Sequence, residues 1–135
     1  MGSTSLSPLQ WRVLEAMSEA APAGWLRLDL DVTEVGNIGV RNLFGRWPTE
    51  ERLLEIPRPA VEALQELRHF MYEPGSGTWF TARFYLDPPM KPYVVYNFDD
   101  IPLEVEIPTE EWRRELERYP RDPKYILGWL QEKLK

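Results

Sequence analysis

From Leu26 to Thr33 the chain alternates without a break, with Leu26, Leu28, Leu30 and Val32 in one phase and Arg27, Asp29, Asp31 and Thr33 in the other. Period two over this length belongs to a strand with one face on a core and the other toward water. A slip of one residue would exchange the two sets, so the pattern itself sets the register, with Leu28 and Leu30 inside. Gly36-Asn37 is a turn signal, and Ile38, Val40 and Phe44 beyond it suggest a second, antiparallel strand. Trp79–Leu86 sets Phe80, Ala82, Phe84 and Leu86 against Trp79, Thr81, Arg83 and Tyr85. Tyr93–Phe98 follows across a short proline-rich link, which predicts a hairpin. Residues 45–55 show no clear period.

The helices are read from their boundaries. Ser7-Pro8 has the N-cap and first-turn residue types of a helix start, and Leu9, Val13, Ala16, Met17 and Ala20 then recur at helical spacing until Pro22 and Gly24. Pro59 opens a second helix to about Tyr72, with Val61, Leu64, Leu67 and Met71 as its buried stripe and Glu62, Gln65, Glu66 and Arg68 covering the rest. Pro108-Thr109 with Glu110 and Glu111 reads as a capped start carrying acids in its first turn, and Asp122-Pro123 as another start. Hairpins in place of crossovers predict an α+β fold. The expectation is a single domain over residues 1–135, an antiparallel sheet of about four strands with helices packed on one face and a helical C-terminus.

Composition narrows the function. The chain has 135 residues, a formal charge of −6 and no cysteine. Such a chain holds neither a disulfide framework nor a thiolate metal site, and it suits a reducing, cytoplasmic compartment. Its acidity disfavours nucleic acid and anionic membranes as partners. Met1–Ser7 lacks the charged start and apolar middle of a signal peptide, and Gly2–Ser5 is expected to be a frayed end.

Catalytic candidates are few. His69, the single histidine, has no evident nucleophile or carboxylate orienter in its sequence surroundings and sits where a helix C-terminus favours a cation. Pro74-Gly75-Ser76-Gly77 lacks the lysine and the strand-to-helix context of a phosphate loop and reads as a turn. Asp99-Asp100 at a strand end could hold a hard cation, but no Glu-x-Lys follows and no alternating acid loop surrounds them. From Asp99 to Glu111 there are six acids, Asp99, Asp100, Glu104, Glu106, Glu110 and Glu111, with no Lys or Arg between them. This run and the polar strand face with Asp29 and Asp31 are candidates for a partner surface. Trp79, Tyr85 and Tyr93 are either its aromatic centre or ordinary core, because the burial phase of their strands is open at this stage.

The stretch "LRHFMYEPGSGTWFTARFYLDPPMKPYVVYNFDD", Leu67 to Asp100, resembles the YezG-like family of immunity proteins. In that family a helix ends in a Gly-containing turn, a strand begins Gly-x-Trp-Phe/Tyr, and a later strand ends Tyr-x-Tyr/Phe-Asp. Gly77, Trp79 and Phe80 match the first motif, and Tyr96, Phe98 and Asp99 the second. Trp112, the "RYPRDPKYI" run and Trp129 are also similar to family members, whereas the link Asp87 to Pro92 departs from the family's polar turn. The resemblance implies a non-catalytic, cytoplasmic antitoxin of a polymorphic toxin or contact-dependent inhibition system. It would need no cofactor and would bind a cognate toxin domain, often a nuclease. The expected partner-binding residues are Asp29, Asp31, Trp79, Tyr93, Asp99, Asp100, Glu104, Glu106, Glu110 and Glu111. Competing readings are a general acidic interaction adaptor, or a small metal- or ligand-dependent enzyme built on Asp99, Asp100 and nearby tyrosines.

Overall fold

Ser7 starts the first helix as its residue type predicts. Its hydroxyl accepts the Gln10 amide at 3.3 Å, and the Gln10 side chain accepts the Ser7 amide at 2.7 Å, a reciprocal cap that satisfies two otherwise orphaned donors. In the computed structural model, which describes residues 6–102 and 105–135, helix α1 (Pro8–Ala20) is followed by strands β1 (Arg27–Val35), β2 (Ile38–Trp47) and β3 (Glu50–Leu54). Helix α2 (Arg58–Phe70), strands β4 (Thr81–Asp87) and β5 (Lys91–Asn97) and helix α3 (Thr109–Arg118) come next, then a 3-10 turn (Pro123–Tyr125) and helix α4 (Gly128–Lys133). The fold is α+β, with one open antiparallel sheet in the order β3-β2-β1-β4-β5. The expectation for Gly2–Ser5 lies outside the described residues.

The sheet has five strands where about four were expected. The addition is β3, paired with β2 in the register Leu43↔Leu54, Phe44↔Leu53, Gly45↔Arg52, Arg46↔Glu51 and Trp47↔Glu50. Its residues, Glu-Glu-Arg-Leu-Leu, show no alternation because every one but Leu54 is exposed. An edge strand lacking a clean inner face leaves no period to read.

The chain divides into two compact units. The first comprises Met1–Leu30, Asn42–Phe70 and Phe84–Val94. Its core contains Val13, Leu14 and Met17 of α1, Ala60, Ala63, Leu64 and Leu67 of α2, and Leu28, Leu30, Leu43, Phe84 and Leu86 from the strands. Leu28 and Leu30 are fully buried, so the register read from the alternation holds within β1, whereas Leu26, expected in the same phase, precedes the strand and is 49% exposed. Each large apolar side chain taken from water contributes about 1.5–3 kcal/mol before entropy is set against it. Within α2 the stripe is shifted from the expected one. Ala60 and Ala63 are buried and Val61 half-buried, while Arg68, expected on the outer side, is 4% exposed. Helices α1 and α2 pack against each other.

The second unit comprises Asp31–Arg41, Met71–Arg83 and Val95–Lys135. Val35, Phe80, Ile107, Trp112 and Leu130 form its core, with Val105, Leu116, Ile126, Trp129 and Leu134 packed against them. Phe80, Trp112 and Trp129 meet edge to face at 5.4–5.7 Å, the favoured arrangement for aromatic quadrupoles. The helix expected from Asp122-Pro123 is broken at Ile126-Leu127 into a 3-10 turn and α4. Pro108, not Thr109, occupies the N-cap of α3, and no side chain caps that end.

Candidate partner-binding surface

In the first unit, alternation along each strand puts the residues opposite Leu28, Leu43 and Phe84 on an outer face. Phe44 and Leu53, which are paired, are 40% and 64% exposed there. Arg27 and Tyr85 have the same outward phase, and Tyr93 is 65% exposed with its ring 5.9 Å from that of Tyr85. The Arg27 guanidinium lies 5.9 Å from the Tyr85 ring centroid and donates a forked pair of hydrogen bonds to Asp87, at 2.9 and 3.0 Å. The hydrogen bond from Arg27 holds the Asp87 carboxyl below the usual carboxylate range, and that same bond raises the Arg27 pKa, with Asp29 adding to the field. A planar cation fixed over Tyr85, a neighbouring exposed Tyr93, and an exposed phenylalanine and leucine on the same face are the residue types enriched at interface centres. Of the expected residues, Asp29 and Tyr93 belong to this unit, Asp29 half-buried and Tyr93 exposed.

In the second unit the expected residues differ in exposure. Asp99, Asp100, Glu106 and Glu110 are exposed, and Glu104 lies outside the described residues. The Asp99-Asp100 loop is shaped by Asn97, whose side-chain carbonyl accepts both aspartate amides (3.2 and 2.9 Å) while its NH2 donates to the Asp100 carbonyl at 2.9 Å. The Trp129 indole N–H donates to the Asp99 carbonyl at 2.8 Å, leaving the carboxylates outward on a fixed backbone. Asp31 is half-buried in an ion pair with Arg83 at 3.2 Å.

Trp79 and Glu111 are corrections. Trp79 is fully buried, with Tyr96 at 5.8 Å between ring centroids. It precedes the first residue of β4, so the strand's alternation does not reach it and both Trp79 and Phe80 turn inward. Glu111 is 7% exposed. Its carboxylate accepts the Asn37 amide at 2.7 Å and pairs with Arg114, while Glu115 accepts the Gly36 amide at 3.0 Å. Arg118, one turn further on, donates to the Gly36 carbonyl and to the Asn37 side chain. This helical row grips the β1–β2 turn, which makes Glu111 a structural acid.

Arg121 is a further buried charge, and the sequence alone does not single it out. The Arg121 guanidinium donates to the carbonyls of Thr78, Phe98 and Tyr125 at 3.0–3.2 Å and lies 4.5 Å from the Phe80 ring centroid. Gly77 makes room for it: at φ +93° its missing Cβ would sit 2.3 Å from the Arg121 Nε. Pro74–Gly77 is thus a turn docked on Arg121-Asp122, with the Asp122 amide bonded to the Gly75 carbonyl at 2.6 Å. The pairing of a glycine turn with a distant Arg-Asp was the available signal, and one sequence does not reveal it.

His69 is exposed in the last turn of α2, beside Leu9, Arg12, Gln65, Glu66 and Phe70 in an open groove. No group of three or more His, Cys, Asp or Glu among the described residues is placed to hold a metal ion. No helix among them is long and apolar enough to cross a membrane. No protein-family model and no curated protein matches the chain.

Proposed function

We propose that this chain is a cytoplasmic immunity protein that binds and neutralises a cognate bacterial toxin domain, a nuclease, without catalysis of its own. The observation that carries the binding role is the exposed outer sheet face of the first unit, which presents Tyr93, Tyr85 and the Arg27–Asp87 pair and also the Phe44–Leu53 cross-strand pair. Aromatic and arginine side chains held in place before binding lose little entropy when a partner covers them. The toxin reading rests on the resemblance of Gly77, Trp79, Phe80, Tyr96, Phe98 and Asp99 to the YezG-like motifs. The exposed carboxylates of Asp99, Asp100, Glu106 and Glu110 supply the charge that a basic, phosphate-binding cleft attracts. The test is to purify this chain with the toxin domain encoded beside its gene, then to measure complex formation and nuclease activity with and without it. A stable complex with loss of nuclease activity is expected; full activity at saturating amounts of this chain overturns the reading.

A further inference from the structure

The β3 edge offers a second kind of contact, made by backbone. The Arg46 carbonyl accepts the Leu26 amide at 2.6 Å, so Arg46 turns its backbone groups toward β1. By alternation Gly45 and Trp47 turn theirs toward β3, and their partners in the register are Arg52 and Glu50. Glu51 and Leu53 are then the non-hydrogen-bonded partners of Arg46 and Phe44, and their own N–H and C=O groups point away from the sheet. β3 is an edge strand, so these groups form an open ladder.

The opposite edge is less suited. The Asn97 carbonyl accepts the Phe80 amide at 2.8 Å, which by alternation along β5 turns Pro92 outward, and proline has no N–H to give.

We infer that β3 accepts an added antiparallel strand from the partner, an extended segment with one apolar residue flanked at two-residue spacing by Lys or Arg. This rests on the binding role proposed above and assigns it a place. The occupant is set by side chains on the outer face. Glu51, Leu53 and, one residue past the strand, Glu55 recur at period two, acid–apolar–acid, and all three are exposed. An apolar residue opposite Leu53 would also extend the cover over Phe44, its cross-strand neighbour. Basic residues two positions to either side would face Glu55 and Glu51, the latter sharing its carboxylate with Arg46 at 3.2 Å. A second copy of this chain fits poorly, because antiparallel self-pairing centred on Leu53 sets Glu51 against Glu55, and like charges directly opposite destabilise a ladder.

The probe is the capped peptide Lys-Thr-Val-Thr-Lys, titrated to millimolar concentration into the full chain labelled with 15N, with Glu-Thr-Val-Thr-Glu as control. The expected result is that the basic peptide shifts the Glu51 and Leu53 amides most and that the acidic one shifts neither. Leu53→Pro removes one outward N–H and no bond to β2, and it should weaken the peptide about two- to tenfold, the effect of losing one hydrogen bond. Glu55→Lys, which leaves the strand untouched, should weaken it as well and keeps the test valid should Leu53→Pro not fold. Absence of shifts in β3, equal shifts with both peptides, or undiminished binding by Glu55→Lys overturns the inference. So does a concentration-dependent dimer whose shifts fall on β3 in the absence of peptide. Toxin neutralisation by the wild-type chain is scored separately: its failure sinks the proposed function, whereas neutralisation without β3 engagement sinks this inference alone.

Discussion

The Glu111 carboxylate accepts the backbone N–H of Asn37 at 2.7 Å, joining the first turn of α3 to the β1–β2 hairpin across 74 residues of sequence. Glu115 repeats the contact one turn later on Gly36, and Gly36 itself has φ +57° with no room for a Cβ, which would lie 2.5 Å from the Glu111 carbonyl oxygen. The site lies within the second unit, where the two acids satisfy turn amides that solvent would otherwise have to reach.

Stability should therefore respond to this clamp. Glu115→Ala leaves the Gly36 amide without its carboxylate and should cost about 1–3 kcal/mol, as for other buried hydrogen bonds to charged groups. Gly36→Ala forces a left-handed alanine against α3 and should cost more than ~1 kcal/mol from the backbone alone. Urea melts with an unchanged m-value would report both; wild-type midpoints for the two variants would remove the clamp from the account of the fold.

The two leucines of opposite exposure give a second contrast. Leu64, fully buried, should lose about 2–5 kcal/mol on truncation to alanine. Leu53, mostly exposed, should stay within about 0.5 kcal/mol. Thermal melts of the two variants side by side are sufficient, and a Leu53→Ala loss as large as that of Leu64→Ala would mean that the β3 face is covered in solution.

Acid should weaken the Arg27–Asp87 pair in one direction. The folded-state pKa of Asp87 is lowered by the hydrogen bond from Arg27, so its contribution is present above the unfolded carboxylate pKa and disappears as pH falls through the lower folded value. The window is acidic, below about pH 4. Both side chains are more than two-fifths exposed, so water and salt screen the pair and the effect is small. Asp87→Asn should remove this part of the acid dependence while leaving the pH 7 fold intact, read by NMR titration of the Asp87 carboxyl in the wild type and by acid melts of both proteins. A wild-type Asp87 titrating at the ordinary carboxylate pKa would contradict the pairing.

Under the proposed function, charge should govern association with a basic toxin. Asp99→Lys with Asp100→Lys should slow binding without unfolding the domain, since both side chains are exposed and the loop is held by Asn97 and Trp129. Wild-type association should slow with added salt. Stopped-flow kinetics at low and high salt, with circular dichroism as the folding control, decide the matter; a salt-independent rate together with an unchanged variant affinity would leave the acids to solubility alone.

Under the proposed function, His69→Ala should retain full toxin neutralisation. The imidazole is exposed at the C-terminal end of α2, and no metal-binding group of three or more ligands occurs among the described residues. Loss of neutralisation by a folded variant is the result that would argue for a role of the α1–α2 groove.

Local patterning determined those parts of the chain whose neighbours in sequence are also their physical partners. The Ser7-Pro8 start, the Leu28/Leu30 phase of β1 and the existence of α2 follow from spacing alone, because a side chain's face in a regular element depends on its position in the repeat. Tertiary structure decided the rest. β3 exists because Trp47 and Glu50 close a hairpin onto β2, a pairing energy that its own five residues do not display as a pattern. Trp79 lies just outside β4, where no repeat fixes its face, and it is buried with its ring 5.8 Å from that of Tyr96. Glu111, read as part of an acidic surface, is internal because the amide that needs it is 74 residues away. Sequence spacing carries no information about which distant backbone group a carboxylate will satisfy; only the packed fold brings donor and acceptor together.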